Sequence, residues 1–114
     1  CDVSDEAATQ EAVAKTVEAF GRFDILVNNA AIFTQTPRAK FDEITVEEWD
    51  RVCSVNIRGV WLMCKAAVPE MRKNGYGKIV NMSSTFARTT APARSDSWAA
   101  WPICISVSGW SVTA

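Results

Sequence analysis

The sequence predicts an α/β protein: a three-layer, doubly wound parallel sheet of which this chain supplies central strands and helices. Three observations predict it. Two short apolar runs, residues 23–28 (FDILVN) and 77–82 (GKIVNM), have the length and character of strands buried on both faces. Each follows a longer stretch in which apolar residues recur at helical spacing. Both end in polar residues, Asn28-Asn29 and Ser83-Ser84, at the edge where an open parallel sheet receives ligands. The order helix, strand, helix, strand implies parallel pairing through right-handed crossovers.

The first helix is expected over residues 5–20. Ser4 is the candidate N-cap, and Asp5 and Glu6 follow where the positive helix end favours acids. Val13, Val17 and Phe20, with the small Ala8, Ala12 and Ala14, form its apolar stripe, and Gly21 is the stop signal. The first strand then runs to Asn28. Residues 31–43 are mixed polar, contain Pro37 and read as a loop. Thr45 and Glu48 have capping-box spacing and open a second helix expected over 46–73, with Asn74-Gly75 closing it.

Two features of that helix are unfavourable. Asn56 stands in the middle, where its side chain competes for backbone hydrogen bonds. Pro69 should break or kink the last turns. Apolar residues such as Val52, Ile57, Trp61, Met63 and Met71 also cover more than one stripe, so the helix should pack against the sheet and a further partner.

Composition narrows the function. The 12 basic and 13 acidic residues leave a net charge of −1 with no basic cluster, which argues against a nucleic-acid or anionic-membrane surface. No histidine is present, so Ser-His-Asp and Cys-His catalysis and histidine-based zinc sites are excluded. Cys1, Cys53, Cys64 and Cys104 form no C-x-x-C pair and read as buried free thiols of a reducing, cytoplasmic compartment.

The character changes after Asp96. Residues 97–114 carry no charge and hold three of the five tryptophans; neither helical nor strand periodicity survives there. Serines, Pro102 and Gly109 interrupt the segment, whereas a membrane span needs about 20 consistently apolar residues.

Chemistry is expected at the strand ends. Asn28-Asn29-Ala30-Ala31 lets a flat ligand approach the backbone, although paired amides after a strand also serve as plain turn formers. Ser83 and Ser84 bring hydroxyls to the same edge, although serines there also cap helices. Asn56 is the third unusual polar group; an exposed position would account for it equally well.

Taken together, CDVSD, FGRFDILVNNAA, WDRVCSVNIRGVW and GKIVNMSS, in this order over residues 1–90, resemble the short-chain dehydrogenase/reductase family. The resemblance implies a Rossmann-type fold, NAD or NADP as cofactor, and hydride transfer with a small alcohol or carbonyl substrate. It also implies a homo-oligomeric parent with neither nucleic acid nor membrane as partner. By position, Asp2 and Val3 resemble the acidic-apolar pair against the adenine. Asn29, Ala30 and Ala31 resemble the stretch lining the adenine ribose, where the usual fourth residue is glycine rather than Ala31. Asn28 and Asp24 brace the strand and turn. Asn56 is similar to the family's catalytic asparagine, whose helix kinks to hold a water in a proton relay. Ser84 is similar to the serine that hydrogen-bonds the substrate oxygen, with Ser83 as the alternative.

The pattern then departs from the family. The Tyr-x-x-x-Lys motif belongs about a dozen residues after the serine, where this chain reads SDSWAAW; Tyr76 precedes the serine, and no lysine follows Lys78. The glycine-rich phosphate loop is also missing. A complete dinucleotide-binding fold needs roughly twice this length. The expectation is therefore the central part of such a domain over 1–96, opening inside a longer reading frame at Cys1, with an atypical tail over 97–114 that reads as frame-shifted. As written it would be inactive, and a non-catalytic remnant that only binds partners is the alternative.

Overall fold

The computed structural model describes residues 1–32, 41–83 and 110–113. In chain order the elements are α1 (Glu6–Phe20), β1 (Ile25–Asn28), a 3-10 turn (Phe41–Glu43) and α2 (Val46–Cys53). A π turn (Ser54–Gly59), α3 (Val60–Lys73), β2 (Tyr76–Asn81) and β3 (Trp110–Thr113) complete them. The two apolar runs pair in parallel, with Ile25 opposite Lys78 and Asn28 opposite Asn81.

Helix α1 begins one residue later than Ser4 would place it. Asp5 is the N-cap, its carboxylate accepting from Ala7 N–H at 2.8 Å and Ala8 N–H at 3.4 Å. The Ser4 hydroxyl is turned the other way, donating to Asp2 Oδ1 at 2.7 Å. The expected stops hold: Gly21 and Gly75 both adopt positive φ, which glycine reaches without a Cβ clash. Thr45 caps α2 by accepting from Glu48 N–H.

The helix expected over 46–73 is helical throughout, but not one α-helix. Residues 54–59, centred on Asn56, form a π turn between α2 and α3. Pro69 does not end α3, which runs on to Lys73. Proline removes one backbone bond there, while Ala67 and Met71 on either side are fully buried and hold the helix to the sheet.

The core lies between one face of the sheet and helices α1 and α3. Leu26 and Ile79 point down from the strands onto Val13, Ala67 and Met71, with Phe23 at the margin. The opposite face is open. Ile25 is 60% exposed and Val27 55%, so the runs are covered on one face rather than on both. The second helical layer of a doubly wound sheet is not among the described residues. On the helices, Val46, Trp49 and Trp61 are exposed on the side away from the core, as an amphipathic excess predicts. The thiols are less buried than expected: Cys1 is exposed, and Cys53 and Cys64 are half-buried and free. Cys104 lies outside the described residues.

The tail contributes one element that periodicity does not announce. Trp110–Thr113 pairs antiparallel with β2, Thr113 opposite Tyr76 and Trp110 opposite Ile79. The sheet order is therefore β1-β2-β3, parallel on one side of β2 and antiparallel on the other. No helix among the described residues is long and apolar enough to cross a membrane.

Helix α3 and β2 meet at Gly77. A Cβ there would stand 2.6 Å from Met71 Cβ and Cγ and would also strike the Met71 sulfur. Met71 is fully buried and cannot swing out. Gly77→Ala is expected to destabilise the chain by about 1–3 kcal/mol through overpacking. Urea unfolding followed by circular dichroism measures this; an unchanged midpoint would mean that α3 slides freely over β2.

Candidate functional site

The carboxyl ends of β1 and β2 stop at the same level, because Asn28 and Asn81 are register partners. Asn28 Nδ2 donates to Asn81 Oδ1 at 2.8 Å, and Met82 N–H bonds the Asn28 carbonyl at 2.9 Å. The Asn28 amide also lies 3.6 Å from Cys64 Sγ on α3. Asn28 therefore ties two strand ends and a helix together. Asp24 secures the other end of β1, accepting from Arg22 Nε at 2.8 Å while its carbonyl accepts from Lys78 N–H at 2.9 Å.

Beyond Asn28 the chain turns outward, and Asn29, Ala30 and Ala31 are exposed. Ile32 is then held by Asn56, whose Oδ1 accepts from Ile32 N–H at 2.8 Å while its Nδ2 donates to Ile32 O at 3.2 Å. A carboxamide is the side chain that can satisfy both backbone groups of one residue at once. This exchange explains a mid-helix asparagine: the side chain is engaged across the fold instead of competing with its own helix. Insertion of a π turn is a frequent way to re-aim a helix at a functional position.

Between the strand ends and the π turn is a cleft of about 130 Å³. Val3, Asn29, Ala30, Val55 and Gly59 are among its lining residues. Gly59 is buried, and a Cβ on it would stand 2.8 Å from Val3 Cγ2, so the absence of a side chain lets the segment 1–4 lie directly on the helix. Asp2 sits between Cys1 and Val3, both of which line the cleft. Its carboxylate accepts from Ser4 N–H at 2.9 Å and from the Ser4 hydroxyl, and these bonds hold its pKa below the ordinary carboxylate value. Arg58, on the π turn, donates from Nη2 to the Ser4 carbonyl at 2.9 Å.

The structure thus brings Val3, Asn29 and Ala30 to one cleft and places Asp2 and Ala31 beside it. Asn56 stands behind it, clamped to Ile32. Ser83 is exposed past the end of β2. Ser84 lies outside the described residues, as does most of the loop expected between residues 31 and 43. Ile32, Val55, Arg58 and Gly59 were not singled out from sequence. Gly59 was detectable: a glycine inside a helix costs about 1 kcal/mol relative to alanine, and one three residues after Asn56 marks a close approach. No group of three metal-ligating side chains is present among the described residues.

Parallel strands ending at one level, helices on a face and a cleft beyond the carboxyl edge define an α/β protein of Rossmann type. Comparison with known proteins agrees. The family described as enoyl-(acyl carrier protein) reductase matches residues 1–100. The 2-(R)-hydroxypropyl-CoM dehydrogenase of Xanthobacter autotrophicus is 42% identical over 94 residues, covering 82% of this chain and 38% of that protein. The D-threitol dehydrogenase of Mycolicibacterium smegmatis is 40% identical over 87 residues, covering 76% of this chain and 32% of the relative. The crystal structure of levodione reductase superposes with a TM-score of 0.73 at 37% identity, over 83% of this chain and 36% of that one. The chain belongs to the short-chain dehydrogenase/reductase family, and it spans between 32% and 38% of the length of these three relatives. Nicotinamide cofactors are the general hydride carriers of that family.

The cluster at Asn28 makes a chemical forecast. Burial pushes the Cys64 thiol up, and the hydrogen bond from Asn28 pulls it partly back. Asn28→Ala removes the lowering contribution and leaves the desolvation. Alkylation of Cys64 by iodoacetamide, followed by mass spectrometry, is therefore expected to require higher pH in the variant than in the parent chain. A profile displaced to lower pH would refute the Asn28–Cys64 contact.

Proposed function

We propose that the chain supplies the cofactor-edge portion of an NAD(P)-dependent oxidoreductase moving hydride between nicotinamide and an alcohol or ketone. The observation that carries this reading is the gathering of Val3, Asn29 and Ala30 around one cleft beyond the paired strand ends. The residues fit the adenosine end of NAD or NADP. Val3 and Val55 offer apolar walls to a flat ring, and Ala30 and Ala31 leave room for close backbone approach. Ser4 engages one oxygen of Asp2, and the second remains an acceptor suited to an exocyclic amine. When bound, the cofactor would supply the carbon that gives or takes hydride.

In this reading Asn56 holds Ile32 and thereby the turn after β1. Its carboxamide is committed to that task, so a proton relay at this position would run through its main chain. Ser84 is proposed to hydrogen-bond the substrate oxygen where charge develops. The exposed apolar side of α2 and α3, with Val46, Trp49 and Trp61, suits packing against a symmetry mate in the parent protein. Residues 1–96 are assigned to the dinucleotide-binding domain and 97–114 to an atypical tail. The family match ends at residue 100, close to where charge disappears from the sequence.

A second reading, a module that binds without catalysing, is favoured by one sequence fact. No tyrosine follows Tyr76 and no lysine follows Lys78, so the family's proton donor has no counterpart after Ser84. For the polypeptide as written, binding without turnover is the expected state. Purified chain mixed with NADH and ketones, or with NAD and alcohols, should leave the cofactor unchanged, while AMP should perturb the amide signals of Val3, Asn29 and Ala30 in an NMR titration. Sustained turnover would refute the inactive assignment, and silence toward AMP would refute the cofactor reading. The tail has its own test. Sequencing the source DNA should reveal that a one-base change of frame between the codons of Thr89 and Trp98 restores Tyr-x-x-x-Lys; homologous coding sequences sharing this tryptophan-rich tail would refute the frameshift.

A further inference from the structure

The π turn makes two contacts of different kinds with the segment before α1. Gly59 is packed against Val3 so closely that a Cβ would also stand 3.2 Å from the Val3 carbonyl oxygen. Arg58, the residue before it, reaches over the same segment and donates from Nη2 to the Ser4 carbonyl at 2.9 Å. Ser4 in turn binds Asp2 Oδ1 through both its N–H and its hydroxyl. A chain of hydrogen bonds thus runs from the Arg58 guanidinium through Ser4 to the Asp2 carboxylate. The same π turn, two residues earlier, holds Ile32 through Asn56. The helix consequently grips both loops that border the cleft, one through a carboxamide and one through a guanidinium.

We infer that Arg58 is a positioning residue, fixing Asp2 and Val3 as one wall of the cleft through the Ser4 carbonyl. This rests on the cofactor-edge reading above, and it assigns to that edge a residue whose side chain does not line the cleft. The contact is made to a main-chain oxygen, so any residue at position 4 would present it; the requirement falls on position 58. Arg58 is the charged side chain acting on Asp2, and it favours the ionised form. Lysine keeps the charge and can reach a carbonyl as a donor, whereas alanine removes both.

The test uses the full 114-residue chain as Arg58→Ala and Arg58→Lys, with AMP as probe. In Arg58→Ala the amide signals of Asp2, Val3 and Ser4 should shift while that of Ile32 stays, since Asn56 still holds it. The Asp2 carboxyl titration should move upward toward the ordinary carboxylate value, and AMP binding should weaken about two- to fivefold. Arg58→Lys should restore most of each effect. A general loosening of the fold would move Ile32 and the core signals as well, which would overturn the assignment. So would unchanged Asp2, Val3 and Ser4 signals with parental AMP affinity in Arg58→Ala. If the parent chain itself ignores AMP, the cofactor reading fails, and the amide signals of Asp2, Val3 and Ser4 in the two variants still decide whether Arg58 holds the segment.

Discussion

Backbone leaving the end of a strand carries N–H and C=O groups that need partners, and here a single carboxamide supplies both. The two-way exchange between Asn56 and Ile32 is the constraint from which the arrangement of the cleft follows. The π turn stands at Asn56, between α2 and the α3 residues Ala67 and Met71 that pack on the sheet, and its wider winding adds a residue to one turn. Once it is present, Gly59 lies against Val3 and Arg58 reaches Ser4. The unfavourable features of the sequence at 56 and 59 are two sides of one solution.

Much of the fold was legible because its signals are local. Gly21, Gly75 and the Thr45–Glu48 box each act within a few residues of themselves, and each marks the boundary observed. The apolar runs showed where strands lie, since short segments centred on Ile-Leu-Val and Ile-Val and bounded by polar residues have few other uses. What failed to show depends on neighbours. Ser4 and Asp5 are equally good caps, and only the turn that gives Ser4 to Asp2 decides between them. The runs look buried on both faces because composition records what a strand is built for, whereas the helices among the described residues cover one face. Trp110–Thr113 carries no alternation, and its pairing follows from an available edge on β2.

The site divides in the same way. Val3, Asn29 and Ala30 were identified by resemblance because they occur in ordered motifs, and the geometry sets them around one cleft. Arg58 and Val55 carry no such mark. An arginine on a helix is most often simply solvated, and nothing local shows that a carbonyl 54 positions earlier is within its reach. Contacts of that span belong to the tertiary arrangement alone. Asn28 is intermediate: its place at a strand end was plain, but its pairing with Asn81 depends on the strand register.

That pairing has a consequence for how the molecule assembles. Asn28 and Asn81 are 53 positions apart, and joining free chain ends over such a span forfeits considerable entropy. Much of the intervening chain, however, is helical from Val46 to Lys73, a rod of roughly 40 Å at about 1.5 Å per residue. Once the rod exists it can fold back on itself no longer, and its apolar face offers β1 and β2 a common surface on which to meet. Rod first and sheet second is the order that gives up least disorder at each step. On that order the strand edge, and the cleft that opens on it, follows the helix that both strands rest on.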